Sequence, residues 1–221
     1  MKRPLELRAA PRSWRLVLKT AYPFLAERGV GDLLVFGSQA LSVYLKSPLR
    51  SKDLDLVSSQ IGPEHQEALS KHLPQTQGLE VRSSTIQSRP LQRGTLKTYT
   101  IELRVDGKPF FLEIFDKVLD GQDPSVLTPH VEKTHRWNLD FWVPSLNATL
   151  ALRLTFRQPE GISPLNSRRL EDLLQENWRR IDLSEVRRII QEWEMSEVVK
   201  SNLGPLRKTG KLRILREELM S

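Results

Sequence analysis

Leu33-Leu34-Val35-Phe36-Gly37-Ser38-Gln39-Ala40-Leu41, followed by Arg50-Ser51-Lys52-Asp53-Leu54-Asp55-Leu56-Val57, is the stretch on which the fold turns. The first run reads as a short apolar strand over 32–36, a Gly-Ser turn, and a helix over about 38–45 closed by Ser47-Pro48. The second reads as a strand over 53–57 carrying two aspartates one residue apart. Side chains alternate along a strand, so Asp53 and Asp55 project from one face. Two carboxylates side by side repel unless a cation lies between them, and hard cations take carboxylate oxygens. The Gly37-Ser38 turn offers backbone N–H groups at a helix start, a setting suited to phosphate. Metal and phosphate together point to phosphoryl chemistry.

Upstream, residues 12–28 place Trp14, Val17, Leu18, Ala21, Phe24 and Leu25 at helical spacing. Gly29 stops this helix, and Pro23 kinks it or divides it. Downstream, Gly62-Pro63-Glu64 opens a helix that runs over 67–73, and 79–82 is a short strand. Residues 83–94 are polar, with Arg89, Gln92 and Arg93, and read as a loop that either binds an acceptor or stays disordered. Two apolar runs, 98–105 and 109–115, flank Asp106-Gly107, a strong hairpin signal. A boundary falls near Asp120-Gly121-Gln122-Asp123-Pro124, and 139–144 is a further strand. Beyond it the chain turns helical, over 146–156 with Ser145 as cap, 167–178, 184–194 with Asp182 or Ser184 as cap, and a basic 207–218. Strands first and helices after predict a mixed β-sheet flanked by helices over 1–125, an α/β (α+β) domain. A mostly helical C-terminal domain follows over 126–221.

The 221 residues suffice for one large or two small domains, and 38% hydrophobic with 28% charged content suits a globular protein. The absence of cysteine removes disulfides and thiolate zinc sites. His65, His72, His130 and His135 show no metal-ligand spacing. Met1-Lys2-Arg3-Pro4 leads into no apolar core of the signal-peptide kind. No apolar run approaches the roughly 20 residues that span a membrane. The expectation is therefore a cytoplasmic protein with no membrane partner. The net charge of +7 favours an anionic partner such as RNA, DNA or a nucleotide.

Transfer of a nucleotidyl group calls for metal ions that neutralise a triphosphate and activate a hydroxyl. Asp53 and Asp55 supply one carboxylate pair, and a two-metal site takes a third acid from a neighbouring strand. Glu113 is the choice, because it interrupts the apolar run Leu112-Glu113-Ile114, where an uncompensated carboxylate would cost several kcal/mol, roughly. Asp116 and Glu102 are its rivals, and an ion pair between Glu113 and Arg104 is the competing structural explanation. Arg50 lies close enough in sequence to the acids to pair with them or with phosphate. Trp137, Trp142, Trp178 and Trp193 read as core residues rather than base-stacking platforms.

Phe36-Gly37-Ser38-Gln39-Ala40-Leu41 and Arg50-Ser51-Lys52-Asp53-Leu54-Asp55 resemble the signature of the DNA polymerase β-like nucleotidyltransferase superfamily, a Gly-Gly or Gly-Ser turn followed by an Asp-x-Asp strand. Within it the chain looks most like the AbiEii/AbiGii toxin group, which reads Gly-Gly-x-Ala-Leu, a helix, then Arg-x-Ser-x-Asp-hydrophobic-Asp. Val143-Pro144-Ser145 leading into Ala148-Thr149-Leu150-Ala151-Leu152-Arg153-Leu154 looks like that group's Pro-Ser…Leu-Ala-x-Lys-Leu helix. Arg168-Arg169-Leu170-Glu171-Asp172-Leu173 looks like its Lys-Asp-x-x-Asp-Leu helix, so the resemblance spans about residues 30–195. The chain departs from the pattern at Ser38 for a second glycine, at Glu113 for aspartate, and at Arg153 for a lysine. An arginine keeps the charge but cannot relay a proton.

The resemblance implies Mg2+-dependent (or Mn2+-dependent) transfer of an NMP from an NTP to an acceptor. The implied acceptor is RNA such as a tRNA 3′ end, and the implied setting a toxin held in check by a cognate antitoxin. Asp53, Asp55 and Glu113 would be catalytic and metal-binding. Gly37, Ser38, Arg50, Ser51, Arg153, Arg169 and Asp172 would bind nucleotide in a cleft between the domains, with Arg157 and Arg168 nearby in sequence. The alternatives are a protein or small-molecule acceptor, or a catalytically reduced relative that binds nucleotide or RNA.

Overall fold

The computed structural model describes residues 11–156, 164–204 and 210–220. The sheet has seven strands: β1 (Leu34–Val35), β2 (Asp53–Val57), β3 (Leu79–Leu91), β4 (Gly94–Val105), β5 (Lys108–Phe115), β6 (Val131–Arg136) and β7 (Leu139–Pro144). Their order is β3-β4-β5-β2-β1-β7-β6. β2 runs parallel to β5 and antiparallel to β1, β1 runs parallel to β7, and β3-β4-β5 is an antiparallel meander. The sheet is mixed, as expected, and helices flank it.

One face of β2, β4 and β5 is apolar and buried: Leu54, Leu56, Ile101, Leu103, Phe110, Leu112 and Ile114 are fully enclosed. The helices α1 (Pro11–Glu27) and α3 (Pro63–His72) contact these strands, α1 reaching β2 and α3 reaching β3 and β4. α1 stays one helix although Pro23 lies inside it, and Gly29 at φ +88° ends it, Val30 N–H donating to Leu25 C=O at 3.1 Å. Asp106 (φ 50°) and Gly107 (φ 77°) make the tight β4–β5 turn in the left-handed region that Asp-Gly tolerates.

Residues 83–94, expected as a loop, are instead the end of β3, a turn at 92–93 and the start of β4, paired without interruption from Ser83↔Glu102 to Leu91↔Gly94. Most of β3 is exposed on both sides, so it lacks the apolar alternation that reveals a half-buried strand. Its pairing with β4 decides its conformation. The β6 strand and a helix α7 (Ser196–Leu203) likewise had no sequence counterpart. Of the tryptophans expected in the core, Trp193 is buried, Trp137 and Trp178 are half-buried, and Trp142 is exposed.

The chain divides into two compact units. One comprises the chain up to Val43, Ser47–Thr128 and Glu132–Val143, and holds the sheet. The other comprises Tyr44–Lys46, Pro129–Val131 and the chain from Pro144 onward. At the centre of the second lies α4 (Leu146–Thr155), whose residues are buried except Asn147 and Arg153. It contacts α5 (Pro164–Asn177), α6 (Leu183–Glu192) and α7, and α8 (Gly210–Met220) contacts α5, α6 and α7. The Ser145 hydroxyl caps α4 by accepting from Ala148 N–H at 3.3 Å, and Asp182 caps α6 by accepting from Ser184 and Glu185 N–H. At the other end of α4, Asn202 Nδ2 donates to Leu154 and Phe156 C=O at 2.7 Å. Among the described residues no helix is long and apolar enough to cross a membrane.

Candidate functional site

The polar face of the sheet begins at the exit from β1. The last backbone bond of the β1–β2 ladder is Phe36 N–H to Asp55 C=O at 2.9 Å. The chain then turns at Gly37 (φ +60°) into α2 (Gly37–Val43). A side chain at position 37 would put its Cβ 2.0 Å from Asp55 Oδ2 and 2.8 Å from Asp55 Cγ. Only glycine allows the turn and the carboxylate to occupy neighbouring space. Ser38 lies half-buried in the same turn, its carbonyl accepting from the Ser42 hydroxyl at 2.8 Å.

Asp53 and Asp55 are both half-buried on β2, on the face opposite Leu54 and Leu56. The parallel register sets Asp55 level with Glu113 and Asp53 level with Phe111. The next pairing continues the row from Glu113 to Thr100 and on to Thr85. Three acids from two adjacent strands therefore share one face. Burial pushes the Glu113 carboxyl up from its ordinary value, the negative charge of Asp53 pushes it further, and Lys52 partly opposes both. Among the described residues, no three acid, histidine or cysteine side chains are gathered into a ready-made ion cage. Carboxylate oxygens, which all three acids carry, are the donor type that hard divalent cations take.

The rivals of Glu113 are placed differently. Asp116 accepts from Lys97 N–H at 2.7 Å, which ties it to the β4 backbone. Glu102 lies on the same face as Glu113, level with Phe111, and accepts from the Ser83 hydroxyl at 3.1 Å. Arg104 is exposed and level with Pro109, whereas Glu113 faces Thr100, so the register does not set Arg104 beside Glu113.

Ser51 is buried and its hydroxyl donates to the Asp53 carboxylate, orienting that acid. Arg50 is exposed just ahead of it. Arg153 is half-buried on α4, its guanidinium 5.4 Å from the centre of the Phe156 ring. Arg169 and Asp172 are half-buried and Arg168 exposed on α5, in the helical unit. Arg157 lies outside the described residues.

Sequence reasoning missed Gln39. It is fully buried, donates from Nε2 to Asp53 C=O at 2.6 Å, and accepts at Oε1 from Asp55 N–H at 3.3 Å. The available signal was a glutamine set against the apolar Ala40-Leu41 pair. Such a polar group is buried only with partners.

No family model matches the sequence, and no curated protein matches it. Among solved structures, the antibiotic-resistance factor ANT(2'')-Ia aligns over 82% of this chain and 90% of its own, with a TM-score of 0.51 and 11% identity. An antigenic nucleotidyltransferase-like protein from Paracoccidioides brasiliensis aligns over 87% of this chain and 94% of its own, with a TM-score of 0.43 and 12% identity. At such identities the likeness to ANT(2'')-Ia is one of fold, and the fold is that of a nucleotidyltransferase.

Proposed function

We propose that the chain transfers a nucleoside monophosphate from an NTP to a hydroxyl of an acceptor, the α–β phosphoanhydride breaking and pyrophosphate leaving, and that the acceptor is RNA such as the 3′ end of a tRNA. One observation carries the reading: Asp53 and Asp55 project together beside a turn where Gly37 leaves Asp55 the space a side chain would take, with Glu113 level with Asp55 on the next strand. Packing alone gives no reason to collect acids there. The triphosphate would rest on the Gly37-Ser38 turn, with the exposed Arg50 as a cation for it. Asp53, Asp55 and Glu113 would hold Mg2+. Bound there, the metal would neutralise triphosphate charge and favour ionisation of the attacking hydroxyl. Ser51 keeps the Asp53 carboxylate aimed outward from β2. Glu113, whose carboxyl is pushed up from its ordinary value by burial and the charge of Asp53, would in its ionised form accept a proton from the acceptor hydroxyl.

The RNA acceptor rests on the net charge of +7 and on Arg153, Arg168 and Arg169 along α4 and α5. On this reading Arg153, Arg169 and Asp172 take part in nucleotide binding, and the protein acts as the toxin of a pair whose antitoxin restrains it. The test is incubation of the full chain with α-labelled NTPs, Mg2+ and total tRNA, with a candidate partner protein and aminoglycosides as separate arms. Label entering tRNA supports the RNA reading, and label entering only another arm replaces the acceptor. Asp53→Asn abolishes transfer in whichever arm is labelled, and unchanged labelling by that variant sinks the site assignment.

A further inference from the structure

β1 is too short for the strand it serves. Its ladder with β2 contains the pairs Leu34↔Val57 and Val35↔Leu56, then the single bond from Phe36 N–H to Asp55 C=O. Extending that antiparallel register by geometry, Asp55 N–H would donate to Phe36 C=O, and Asp53 C=O would accept from Ser38 N–H. Neither bond belongs to the ladder, because the chain has turned away at Gly37 and Phe36 C=O accepts instead from Ala40 N–H at 3.2 Å. Two of the groups so displaced, Asp55 N–H and Asp53 C=O, belong to the two aspartates of the site. Both are taken by one side chain: Gln39 Oε1 accepts from Asp55 N–H at 3.3 Å, and Gln39 Nε2 donates to Asp53 C=O at 2.6 Å.

We infer that Gln39 is a positioning residue whose carboxamide stands in for the missing length of β1 and holds Asp53 and Asp55 in register for catalysis. A carboxamide has one acceptor and one donor end on a planar group, as a peptide unit does, so it can close both gaps at once. The substitution lets the chain leave the ladder early enough to form the Gly37 turn while β2 stays straight beneath it. A continued β1 would satisfy the same groups but leave no turn beside the acids. An apolar residue would leave a buried donor and acceptor open, and β2 would twist or loosen at its two working residues. The inference rests on the nucleotidyl-transfer reading for its catalytic consequence but not for its structural content.

The experiment uses the full chain and two variants, Gln39→Met and Gln39→Glu. Met matches the length of Gln and removes both hydrogen bonds. The carboxyl introduced by Gln39→Glu reproduces one acceptor and one donor only while protonated. Amide hydrogen exchange at Asp55 is followed by NMR, with Leu112 and Ile114 in the sheet interior as controls. Turnover of α-labelled NTPs with Mg2+ and total tRNA is measured in parallel as a ratio to wild type at each pH.

Asp55 N–H should be protected in wild type and exchange about 100-fold faster in Gln39→Met, with the control amides unchanged. Turnover in Gln39→Met should fall about 100-fold in kcat at every pH, as expected for a catalytic group displaced by about an ångström. Gln39→Glu should regain both protection and relative turnover as the pH is lowered, with Leu112 and Ile114 protected throughout, which sets a local effect apart from loss of bulk stability. Wild-type protection at Asp55 in Gln39→Met overturns the inference, as does a pH-independent Gln39→Glu. If wild type transfers nothing to any acceptor, the reading of function fails while the exchange data still judge Gln39. If Gln39→Met does not fold, the pH dependence of Gln39→Glu decides the question.

Discussion

Replacing Gly37 with alanine tests the site through two separable costs. The left-handed conformation at φ +60° costs an L-residue about 1–2 kcal/mol of stability. The added methyl also falls 2.0 Å from Asp55 Oδ2, where real Cβ atoms essentially never come closer than 3.0 Å. The carboxylate must therefore retreat by about 1 Å, a displacement that costs on the order of 100-fold in rate. That factor corresponds to about 2.7 kcal/mol of transition-state stabilisation. Urea denaturation reads the first cost as a shift in midpoint, and NTP-dependent labelling of tRNA reads the second as a fall in kcat. Since Asp55 moves while the rest of β2 keeps its pairing with β5, circular dichroism should be unchanged. An alanine variant with wild-type turnover would refute the reasoning, because Asp55 could then work from another position. A variant that loses stability but not turnover would separate the turn from the chemistry.

Glu113→Gln should stabilise the protein at neutral pH in the presence of a chelator while abolishing transfer. Burial and the charge of Asp53 raise the folded carboxyl above its ordinary 4.5, so folding disfavours the ionised form. The gain should vanish as the pH falls below that value, which thermal unfolding across pH would check. Glu192 gives the opposite sign. Desolvation opposes its ionisation, but hydrogen bonds from His130 (2.8 Å) and Arg188 outweigh it and hold the carboxyl below 4.5. Its contribution is present above that ordinary value and is lost as the pH falls through the depressed one. Glu192→Gln should therefore cost stability at neutral pH, with the gap closing in acid, as read by urea midpoints against pH. Ser145→Ala should cost about 1 kcal/mol by removing the α4 cap, measurable by chemical denaturation.

Local patterns were enough to place β2, the Asp106-Gly107 hairpin and the cap at Ser145, because each depends on residues within a few positions. The shared face of Asp53 and Asp55 is equally local, a consequence of alternation alone. The row that joins Asp55 to Glu113 is not local: it follows from parallel pairing of strands more than fifty residues apart in the chain. The β3–β4 ribbon escaped detection for a related reason. Ser83, Ser84, Thr85, Gln87 and Ser88 carry no apolar period, and only backbone pairing to β4 makes them a strand. The apolar Ala40-Leu41 pair beside Gln39 points to its burial, but its task exists only once β1 is known to stop at Val35.

The ribbon also leaves β3 as one of the two edge strands of the sheet, thirteen residues long and exposed over most of its length. Such an edge invites a second chain to zip onto it. Its composition works against that. Glu80, Arg82 and Arg89 place charges along it, Pro90 has no N–H to donate, and the register shift between Val81 and Ser83 breaks its straightness. An incoming strand would have to bury charge, skip a donor and follow a bend. These features guard the edge against self-association at the concentrations where long, flat strands aggregate. Substitutions that remove them should be felt first as lost solubility, long before the acids on β2 are disturbed.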